Sequence, residues 1–447
     1  MSLDDHPTVL AVRARPRSDT PHPAVSAAEL KQIALQHGAD DAGLVEIDRP
    51  ALDDQRALIR QVYGDTRALL SFVVGMNREP VRSPVRSVAN QEFHATYDAV
   101  NETARDIVRA LSARQIPACN SVAAFPMEVQ LPGRAWMVAH KPVAVAAGLG
   151  RIGVHRNVIH PRLGSFVLLG TVLLGVDADA YDQPIDYNPC LHCNLCVAAC
   201  PVTAIKPDGA FDFMTCYTHN YREFLGNFGD WIGELAEANN AADYRRRVSD
   251  GETRSMWQSL SFKPGYKAAY CVAVCPAGEH VIAPFLDDSK DFTERVVRPL
   301  RDKPETLYVL SGSDAERDAP RRFPHKALQR VAPSLRPSSI PSYFMLLRLG
   351  FQRGRAKALS ARYHFRFTGE PHTDMTVHID HQRLVIEPGH TGDADVSVRA
   401  DGPIWLQIVN RELAWRDALS RGIVHVTGPL DLVHAFSSCF PAMAELS

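Results

Sequence analysis

The sequence predicts an α/β domain, then a cysteine-rich module, then an α+β domain. Three observations predict this order. Strand-like and helical segments alternate over residues 25–180, seven of the nine cysteines lie between Cys190 and Cys275, and alternating strand patterns appear after residue 342. At 447 residues the chain is longer than one hydrophobic core usually covers, so several domains are expected.

Composition and charge exclude several classes of protein. Hydrophobic residues make up 45% of the chain and charged residues 22%, as in ordinary soluble domains. The net charge of −2 gives no general attraction to nucleic acid, so no nucleic-acid partner is predicted. No apolar run is long enough to span a membrane, so no transmembrane segment is predicted. Residues 1–24 lack the apolar core of a secretory signal, which predicts a disordered lead and a cytoplasmic protein.

The first domain is predicted from four segments in chain order. Residues 26–37 have helical apolar spacing and are followed by Gly38. Residues 68–75 are a short run of strand formers, residues 92–114 are helical, and residues 166–174 form a buried strand. Strands and helices therefore alternate, which predicts an α/β domain over residues 25–180.

A glycine-rich segment precedes the last of these strands. Gly148, Gly150, Gly153 and Gly164 indicate positive φ angles or a close approach of the backbone to something large and flat. The first three form a G-x-G-x-x-G string. Because this string precedes a strand instead of following one, it does not predict a dinucleotide site.

The cysteine-rich module begins with a dense run of ligand-type residues. Cys190, Cys193 and Cys196 are three residues apart, and Cys200 follows four residues later with Pro201 after it. This spacing is typical of a bacterial ferredoxin. A zinc site or buried free thiols are the alternatives, but zinc has no need of the C-x3-C-P ending. We therefore predict a ferredoxin-like iron–sulfur module over residues 181–298, with a helical insertion.

A second cysteine group completes the module. In such proteins the fourth cysteine of the run binds the other cluster. This rule assigns one cluster to Cys190, Cys193, Cys196 and Cys275. It assigns the other cluster to Cys200, Cys216 and Cys271. A full repeat would also place a cysteine where the chain has Ala268. The second cluster then needs a fourth ligand or contains three irons, and the sequence leaves both open.

The remainder of the chain divides into two regions with different sequence patterns. Residues 299–341 are rich in proline, arginine and serine, which predicts a linker around one helix near residues 326–331. From residue 342 a predicted helix at 344–359 is followed by strands of alternating polarity, and further helices accompany the last strands. This pattern predicts an α+β domain over residues 342–447.

The segment from Ala147 through Asn157 and Pro161 to Ser165, followed by a strand and the cysteine run, resembles the cobalamin-dependent family of epoxyqueuosine reductase and the reductive dehalogenases. The resemblance implies a nitroreductase-like domain over residues 25–180 that binds cobalamin, and two [4Fe–4S] clusters that reduce it. The residues implied in cofactor binding are Gly148, Gly150, Gly153, His155, Arg156, Asn157, Gly164 and Ser165.

The chain departs from this family in three ways. Ala268 replaces a cysteine of the second group, which puts that cluster's ligand set in question. Residues 134–142, before the glycine segment, contain no acid, although the family carries its proton donor there. The helical-repeat tail that binds tRNA is missing, so tRNA is not expected as the substrate.

Reductive cleavage also needs a proton donor, because electrons and protons are delivered together. The candidates are Tyr97, His94, His140 and Lys141. Each one taken singly is more often a packed or solvated residue than a catalytic one. The pair His140 and Lys141 is favoured because it directly precedes the glycine segment.

Residues 340–447 are similar to the sterol-carrier protein type two domain. The similarity lies in the alternating strands, the acidic strand entry at Asp393 and Asp395, Trp405, and the stretch from Gly422 to Gly428. It implies an apolar tunnel for a lipid or acyl chain. The alternative is an α+β domain with an ordinary filled core.

Together these features predict an iron–sulfur, cobalamin-dependent reductase that acts on a hydrophobic small molecule, for example by dehalogenation or deoxygenation. Reduced ferredoxin or flavodoxin would be the electron donor. Two other functions stay open: an electron-transfer protein that has lost the corrinoid, and a lipid-binding scaffold with vestigial clusters.

Overall fold

The computed structural model describes residues 3–14, 24–128, 136–333, 335–369 and 372–441. Among these residues, no helix is both long and apolar enough to cross a membrane.

The described part of the N-terminal lead is helical, which corrects the expectation of disorder there. It contains a 3-10 helix at Leu3–Asp5 and the helix α1 at Pro7–Arg13. Proline in the first turn suits a helix start, and the ring nitrogen of His6 accepts a hydrogen bond from the Thr8 N–H. None of these residues is buried. Most of the rest of the lead lies outside the described residues.

The first domain is built on a four-stranded sheet and a small hairpin. Its strands are β1 (Asp41–Glu46), β2 (Ala68–Gly75), β3 (Ala118–Asn120), β4 (Arg151–Ile152), β5 (Val158–Ile159) and β6 (Val167–Leu174). Its helices are α2 (Ala27–Gln36), α3 (Asp53–Val62), α4 (Arg78–Arg82), α5 (Arg86–Ala113) and α6 (His140–Ala146). The sheet order is β1-β2-β6-β3, and β4 pairs with β5.

Every pair of neighbouring strands in the four-stranded sheet is antiparallel. The domain combines strands and helices as predicted, but their alternation does not come from parallel βαβ units. The packing explains why the sequence of β2 resembles that of a strand in a parallel sheet. Helices α2 and α5 cover one face, and α3 and α6 cover the other. Because β2 is buried on both faces, it has the continuous apolar sequence that is usual in parallel sheets.

The cysteine module follows with short helices only. They are α7 (Leu195–Ala199), α8 (Phe213–Asn220), α9 (Asn227–Glu237), α10 (Ala241–Arg247), α11 (Asp250–Phe262), α12 (Tyr270–Ala273), α13 (Ala283–Asp287), α14 (Ser289–Phe292) and α15 (Arg298–Arg301). Cys196, Cys216 and Cys271 lie on α7, α8 and α12. Helices α9 to α11 form the insertion between the two cysteine groups.

The predicted linker is a folded unit, so that prediction is wrong. It contains β7 (Thr306–Leu310), α16 (Asp314–Arg322) and β8 (Ala327–Val331), and β8 replaces the helix expected near residues 326–331. The two strands are parallel, and β7 and α16 pack into the core that contains the cysteine helices. Many of its charged residues lie on α16, so the composition of the segment resembled that of a linker. The pairing of β7 with β8 is not local and leaves no sequence pattern.

The C-terminal domain has one sheet. Its elements are α17 (Ile340–Gly350), β9 (Ser360–Thr368), β10 (Thr373–Asp380), β11 (Arg383–Pro388), β12 (Val396–Asp401), α18 (Gly402–Val409), α19 (Trp415–Ser420), β13 (Val424–Thr427) and α20 (Leu430–Cys439). The order is β11-β10-β9-β12-β13, and only β9 and β12 are parallel. The first helix ends at Gly350, earlier than predicted.

The C-terminal domain packs firmly against the cysteine module. Met214 of α8 and Leu310 of β7 are part of its hydrophobic core. Gln352 lies at the boundary, where its amide nitrogen donates to Asp212 at 3.1 Å and its amide oxygen accepts from the Asp314 N–H at 2.7 Å. The two units therefore share one packed interface.

Candidate functional site

The structure brings together the first predicted group of cysteines. Its members Cys190, Cys193, Cys196 and Cys275 line one cavity together with His155. Positive φ angles of 51° at His192 and 59° at Asn194 fold the loop so that its thiols point inward. Burial and the neighbouring cysteines raise the pKa of Cys196.

The second group lies deeper. Burial raises the pKa of Cys216 well above its usual value, and the charges of Cys271 and Cys200 raise it further. Burial, with Cys200 next in effect, also raises the pKa of Cys271 to about 12. Cys200, Cys216 and Cys271 therefore lie near one another, and their assignment to a second cluster by the ligand-crossing rule stays a prediction.

The donor set fits iron–sulfur clusters. Two crowded groups of thiols, each with pKa values raised by burial and by its neighbours, become stable thiolates only beside a cation. Thiolates are the ligands that iron–sulfur clusters require. Among the described residues, no three His, Cys, Asp or Glu side chains meet in a group that could hold a metal ion.

The second group lacks one thiol, although its loop keeps the form of a ligand loop. Ala269 has a φ of 53°, close to the 59° of Asn194, and each residue lies two positions before a cysteine. By this correspondence Ala268 stands where Cys193 stands in the first loop. Its side chain is buried, with 4% of the residue exposed. The structure therefore provides the position of a fourth ligand without the sulfur.

Two glycines expected to touch a corrinoid pack against the protein itself. A Cβ atom on Gly150 would collide with the carbonyl oxygen of Ile159, and one on Gly153 would come within 2.5 Å of the Ile159 Cδ1 atom. Both contacts lie within the β4–β5 hairpin and its approach. Close packing of the hairpin thus explains these two glycines.

The other two glycines have the same explanation. A Cβ atom on Gly148 would lie 2.6 Å from the carbonyl oxygen of Gln183, and one on Gly164 would collide with the carbonyl oxygen of Ala277. Both residues also have positive φ angles, 77° and 68°. Contacts within the protein thus account for all four glycines, and corrinoid binding by the glycine segment stays a prediction.

The glycine segment instead holds the second cysteine stretch in place. The Ser165 hydroxyl donates to the Val272 carbonyl at 3.1 Å, and the Pro161 carbonyl accepts from the Glu279 N–H at 2.9 Å. Burial raises the pKa of Cys275 to about 11, and the nearby Ser165 hydroxyl opposes that shift. These contacts make the segment a wall of the cysteine site.

His155 belongs to the first cysteine group and not to a phosphate or amide site. Its Nδ1 atom accepts from the Asn157 N–H at 3.1 Å, and within the described chain its buried Nε2 atom has no hydrogen-bond partner. Burial and the charge of Lys141 lower its pKa to about 4. Arg156 is exposed, with a φ of 65°.

Lys141 reaches the second cysteine group through Asn157. Its Nζ atom donates to the Arg156 carbonyl at 2.9 Å and to the Asn157 Oδ1 atom at 2.8 Å. The Nδ2 atom of Asn157 is 4.0 Å from the Cys271 sulfur. Burial lowers the pKa of Lys141, while the charges of Cys271 and Cys216 oppose that shift.

A recess lies at this point. Lys141 is exposed, and Cys216 and Cys271 keep part of their surface accessible. All three side chains are nevertheless strongly desolvated by surrounding protein. From this combination we infer that the three residues border a recess and do not lie on the outer surface. The recess adjoins the second cysteine group.

The other predicted proton donors are held in structural contacts. The ring nitrogens of His140 contact the Thr171 hydroxyl and the Val122 carbonyl, each at 2.9 Å, and burial lowers its pKa. The Tyr97 hydroxyl donates to the carbonyl of Phe125 and accepts from its N–H. Arg134 and Ala135, in the acid-free segment before His140, lie outside the described residues.

The C-terminal domain encloses a narrow apolar cavity. Its lining residues are Tyr363, Phe365, Val396, Val398, Trp415, Val433 and Phe436. Much of the remaining interior is filled by aromatic rings, among them Tyr343 and Trp405 in edge contact. The domain thus contains an apolar space, but less of one than an open tunnel would provide.

Sequence reasoning missed several residues at the site. Asn220 holds the loop at Ala268, and the guanidinium groups of Arg82 and Arg86 lie beside the second cysteine stretch. Nothing in the local sequence marks them, because their contacts join segments far apart in the chain.

Comparisons with known proteins agree with this division. Residues 346–441 match the SCP-2 sterol transfer family. Epoxyqueuosine reductase of Synechococcus sp. (strain RCC307) is 30% identical over 192 residues, which cover 43% of this chain and 55% of that protein. The chain spans about half or less of the length of the curated relatives it matches.

Two solved structures are similar at low identity. Epoxyqueuosine reductase from Streptococcus thermophilus aligns with 60% of this chain and 74% of its own, at 15% identity and a TM-score of 0.34. A reductive dehalogenase, whose structure suggests a mechanism for B12-dependent dehalogenation, aligns with 64% of this chain and 39% of its own, at 13% identity and a TM-score of 0.40. The chain therefore joins a region homologous to epoxyqueuosine reductases to a C-terminal domain of the SCP-2 sterol transfer family.

Proposed function

We propose that the chain is an iron–sulfur reductase that cleaves a bond in a hydrophobic small molecule. The observation that carries the proposal is the recess at Lys141 beside the second cysteine group. It gives a substrate or a further cofactor a place next to a cluster. Homology to epoxyqueuosine reductases supports reductase chemistry. The ferredoxin-like and nitroreductase-like character of the first two units is part of the proposal.

The depth of the two groups supports a direction of electron flow. Leu191, in the loop of the first group, is 42% exposed, and Cys190 and Cys193 keep accessible surface. An electron donor can therefore reach the first cluster from outside. Cys196 feels the charge of Cys271, so the two groups are neighbours. Electrons would enter at the first cluster and leave from the second toward the recess.

Lys141 is the residue best placed to handle a proton. Reductive cleavage of a carbon–halogen bond consumes two electrons and one proton, and it releases halide with a new C–H bond. The Lys141 ammonium is fixed by the Arg156 carbonyl and the Asn157 amide, so its position is defined. Burial lowers its pKa, which makes it a better acid than an ordinary lysine. We assign it the role of proton donor.

The corrinoid is the cofactor that homology suggests for this recess, where it would supply a cobalt centre able to transfer electrons to the substrate. Lys141, Cys216 and Cys271 keep accessible surface, so a group bound there would lie beside the second cluster. The part of the glycine segment in binding it stays a prediction, although contacts within the protein also account for the four glycines.

The C-terminal domain supports a hydrophobic ligand. Its cavity is lined by apolar and aromatic side chains, and it belongs to a sterol transfer family. We propose that it binds the substrate or a lipid that accompanies it. Reduced ferredoxin or flavodoxin as donor, a cytoplasmic location and the exclusion of tRNA stay predictions.

The glycine contacts favour a second candidate function. Because contacts within the protein account for the four glycines without a cofactor, the chain could transfer electrons to a partner oxidoreductase without any corrinoid. Anaerobic purification followed by iron, sulfide and corrinoid analysis separates the two. A corrinoid absorption band with two clusters supports the reductase. Clusters without a corrinoid support the electron carrier, and a protein that holds only zinc contradicts both.

A further inference from the structure

Arg82 points an unpartnered donor group into the core beside the cysteines. Its side chain is only 11% exposed and lies over the rings of Phe166 and Phe292, at 5.2 and 5.4 Å. Its Nε atom donates to the Ala273 carbonyl at 3.3 Å. Its second terminal nitrogen is buried and has no hydrogen-bond partner among the described residues.

Arg86, four residues later at the start of α5, repeats this arrangement. Its guanidinium lies 5.2 Å from the centre of the Tyr270 ring. One terminal nitrogen donates to the Ser83 carbonyl at 3.2 Å. Its Nε atom and other terminal nitrogen are buried, again without a partner in the described part of the chain.

The two arginines match the two cysteines of the second stretch. Arg86 lies against Tyr270, the neighbour of Cys271, and Arg82 lies against Ala273, between Cys271 and Cys275. Burial lowers the pKa of both arginines, and smaller opposing effects come from Glu79 and Cys275 on Arg82 and from Tyr270, Glu305 and Cys271 on Arg86. The two arginines are four residues apart in the chain, and so are the two cysteines. The earlier arginine is matched to the later cysteine, and the later arginine to the earlier cysteine. Arg82 therefore faces a ligand of the first cluster, and Arg86 faces a ligand of the second.

Buried guanidinium donors without acceptors are costly to a fold, so they indicate an acceptor that the polypeptide does not supply. Nearby Arg322 offers a contrast, because it lies beside Cys200 but donates to the Val197 carbonyl at 2.6 Å. Cluster sulfurs are anionic acceptors, and hydrogen bonds to them set the reduction potential. A reduced cluster carries more negative charge, which a fixed cation stabilises.

We propose that Arg82 and Arg86 donate to the sulfur atoms of the first and second clusters respectively, and that each raises the reduction potential of its own cluster. The proposal rests on the two clusters of the proposed function. It adds two positioning residues that do not contact the substrate.

The test is a redox titration of the anaerobically reconstituted full chain, followed by electron paramagnetic resonance, with dithionite as the reductant. Arg82→Gln should shift the potential of the first cluster to more negative values and leave the second in place. Arg86→Gln should do the reverse. Arg82→Lys and Arg86→Lys keep the charge and should shift less. Arg109→Gln is the control, since that side chain is 72% exposed.

Iron content decides how a negative result is interpreted. If the variants hold as much iron as the parent and both reduction potentials stay within error of the control, the inference is overturned. The two clusters of the proposed function are then unaffected. If both potentials shift equally in each variant, the assignment of one arginine to one cluster is overturned. If the parent binds no iron, both the inference and the proposed function fail.

Discussion

The side-chain oxygen of Asn220 accepts a hydrogen bond from the Ala269 N–H at 2.7 Å, and a second one from the Ala268 N–H at 3.0 Å. This contact fixes Ala269 in its left-handed conformation and presents Ala268 toward the second cysteine group. Helix α8 therefore shapes the loop from outside, and the loop keeps its ligand geometry without its cysteine.

We predict that Ala268→Cys supplies the fourth thiolate of the second cluster. The side chain at 268 is buried in the right loop, so a thiol there can bind iron. Iron content should rise from about seven to about eight per chain, as the change from a three-iron to a four-iron cluster requires. The resonance signal of an oxidised three-iron cluster should disappear. Ala104→Cys, also buried but in the first domain, is the control. A parent that already holds a four-iron cluster would contradict the prediction.

The two cysteine groups should be separable by single substitutions. Cys193→Ala should remove the first cluster and about half of the iron, and Cys216→Ala should remove the second. The reason is that Cys193 lines a cavity with Cys190, Cys196 and Cys275, whereas Cys216 is assigned to the other cluster. Iron analysis and the visible spectrum of each reconstituted variant measure the loss. If either substitution removes all iron, the groups do not form independent clusters.

Gly164→Ala should destabilise the protein by about 1–3 kcal/mol, because its Cβ would collide with the Ala277 carbonyl oxygen and its φ is 68°. Gly233→Ala is the matched control: it lies in α9, where an added Cβ meets nothing within 4 Å. It should stabilise by about 0.5–1 kcal/mol, since alanine favours a helix over glycine. Denaturant unfolding of the cluster-free chain measures both. Equal effects of the two substitutions would mean that the contact at Gly164 does not matter.

His219 should make stability fall at acidic pH. Burial, with the charges of Lys267 and Lys326 next in effect, lowers its pKa to about 3 from an ordinary 6.5. Between these values the unfolded chain binds a proton that the folded chain does not, so the free energy of unfolding decreases as the pH falls through this window. The decrease from pH 8 to pH 5 should be about 2 kcal/mol for this residue.

Comparison of His219→Gln with the parent isolates this effect. The variant should lose less stability between pH 8 and pH 5, as measured by denaturant unfolding at both values. His37→Gln, at an exposed position, should follow the parent. An unchanged pH dependence in His219→Gln would show that His219 does not control this loss.

Val433→Trp should block ligand binding by the C-terminal domain. Val433 lines the apolar cavity, and an indole ring there takes the space of an acyl chain. The full-length variant should bind a fluorescent fatty acid at least about 10-fold more weakly than the parent does, a loss of about 1.4 kcal/mol in binding free energy. Leu430→Trp, on the same helix but 71% exposed, is the control. If the parent binds no fatty acid, the result favours an ordinary filled core in the C-terminal domain over a ligand cavity.

The cysteine groups could be predicted because the spacing of ligands within one loop is local. The grouping of Cys196 with Cys275 followed from the crossing rule alone. The role of the glycines could not be predicted, since a sequence shows that the backbone is approached closely but not what approaches it. Gly164 meets the carbonyl of Ala277, more than one hundred residues away in the chain. The β7–α16–β8 unit was missed for another reason, since its strands have only five residues each and the helix between them is rich in charged residues.

Helix α8 has only eight residues, but it contacts three different parts of the protein. Phe213 and Met214 pack into the C-terminal domain, Cys216 faces the second cysteine group, and Asn220 holds the loop at Ala268. A chain cut after Val331 would therefore leave an apolar strip open to water, less than one turn of helix from an iron-binding thiol. We expect residues 1–331 prepared alone to aggregate, and to lose iron from the proposed second cluster first, because the C-terminal domain covers the helix that carries Cys216.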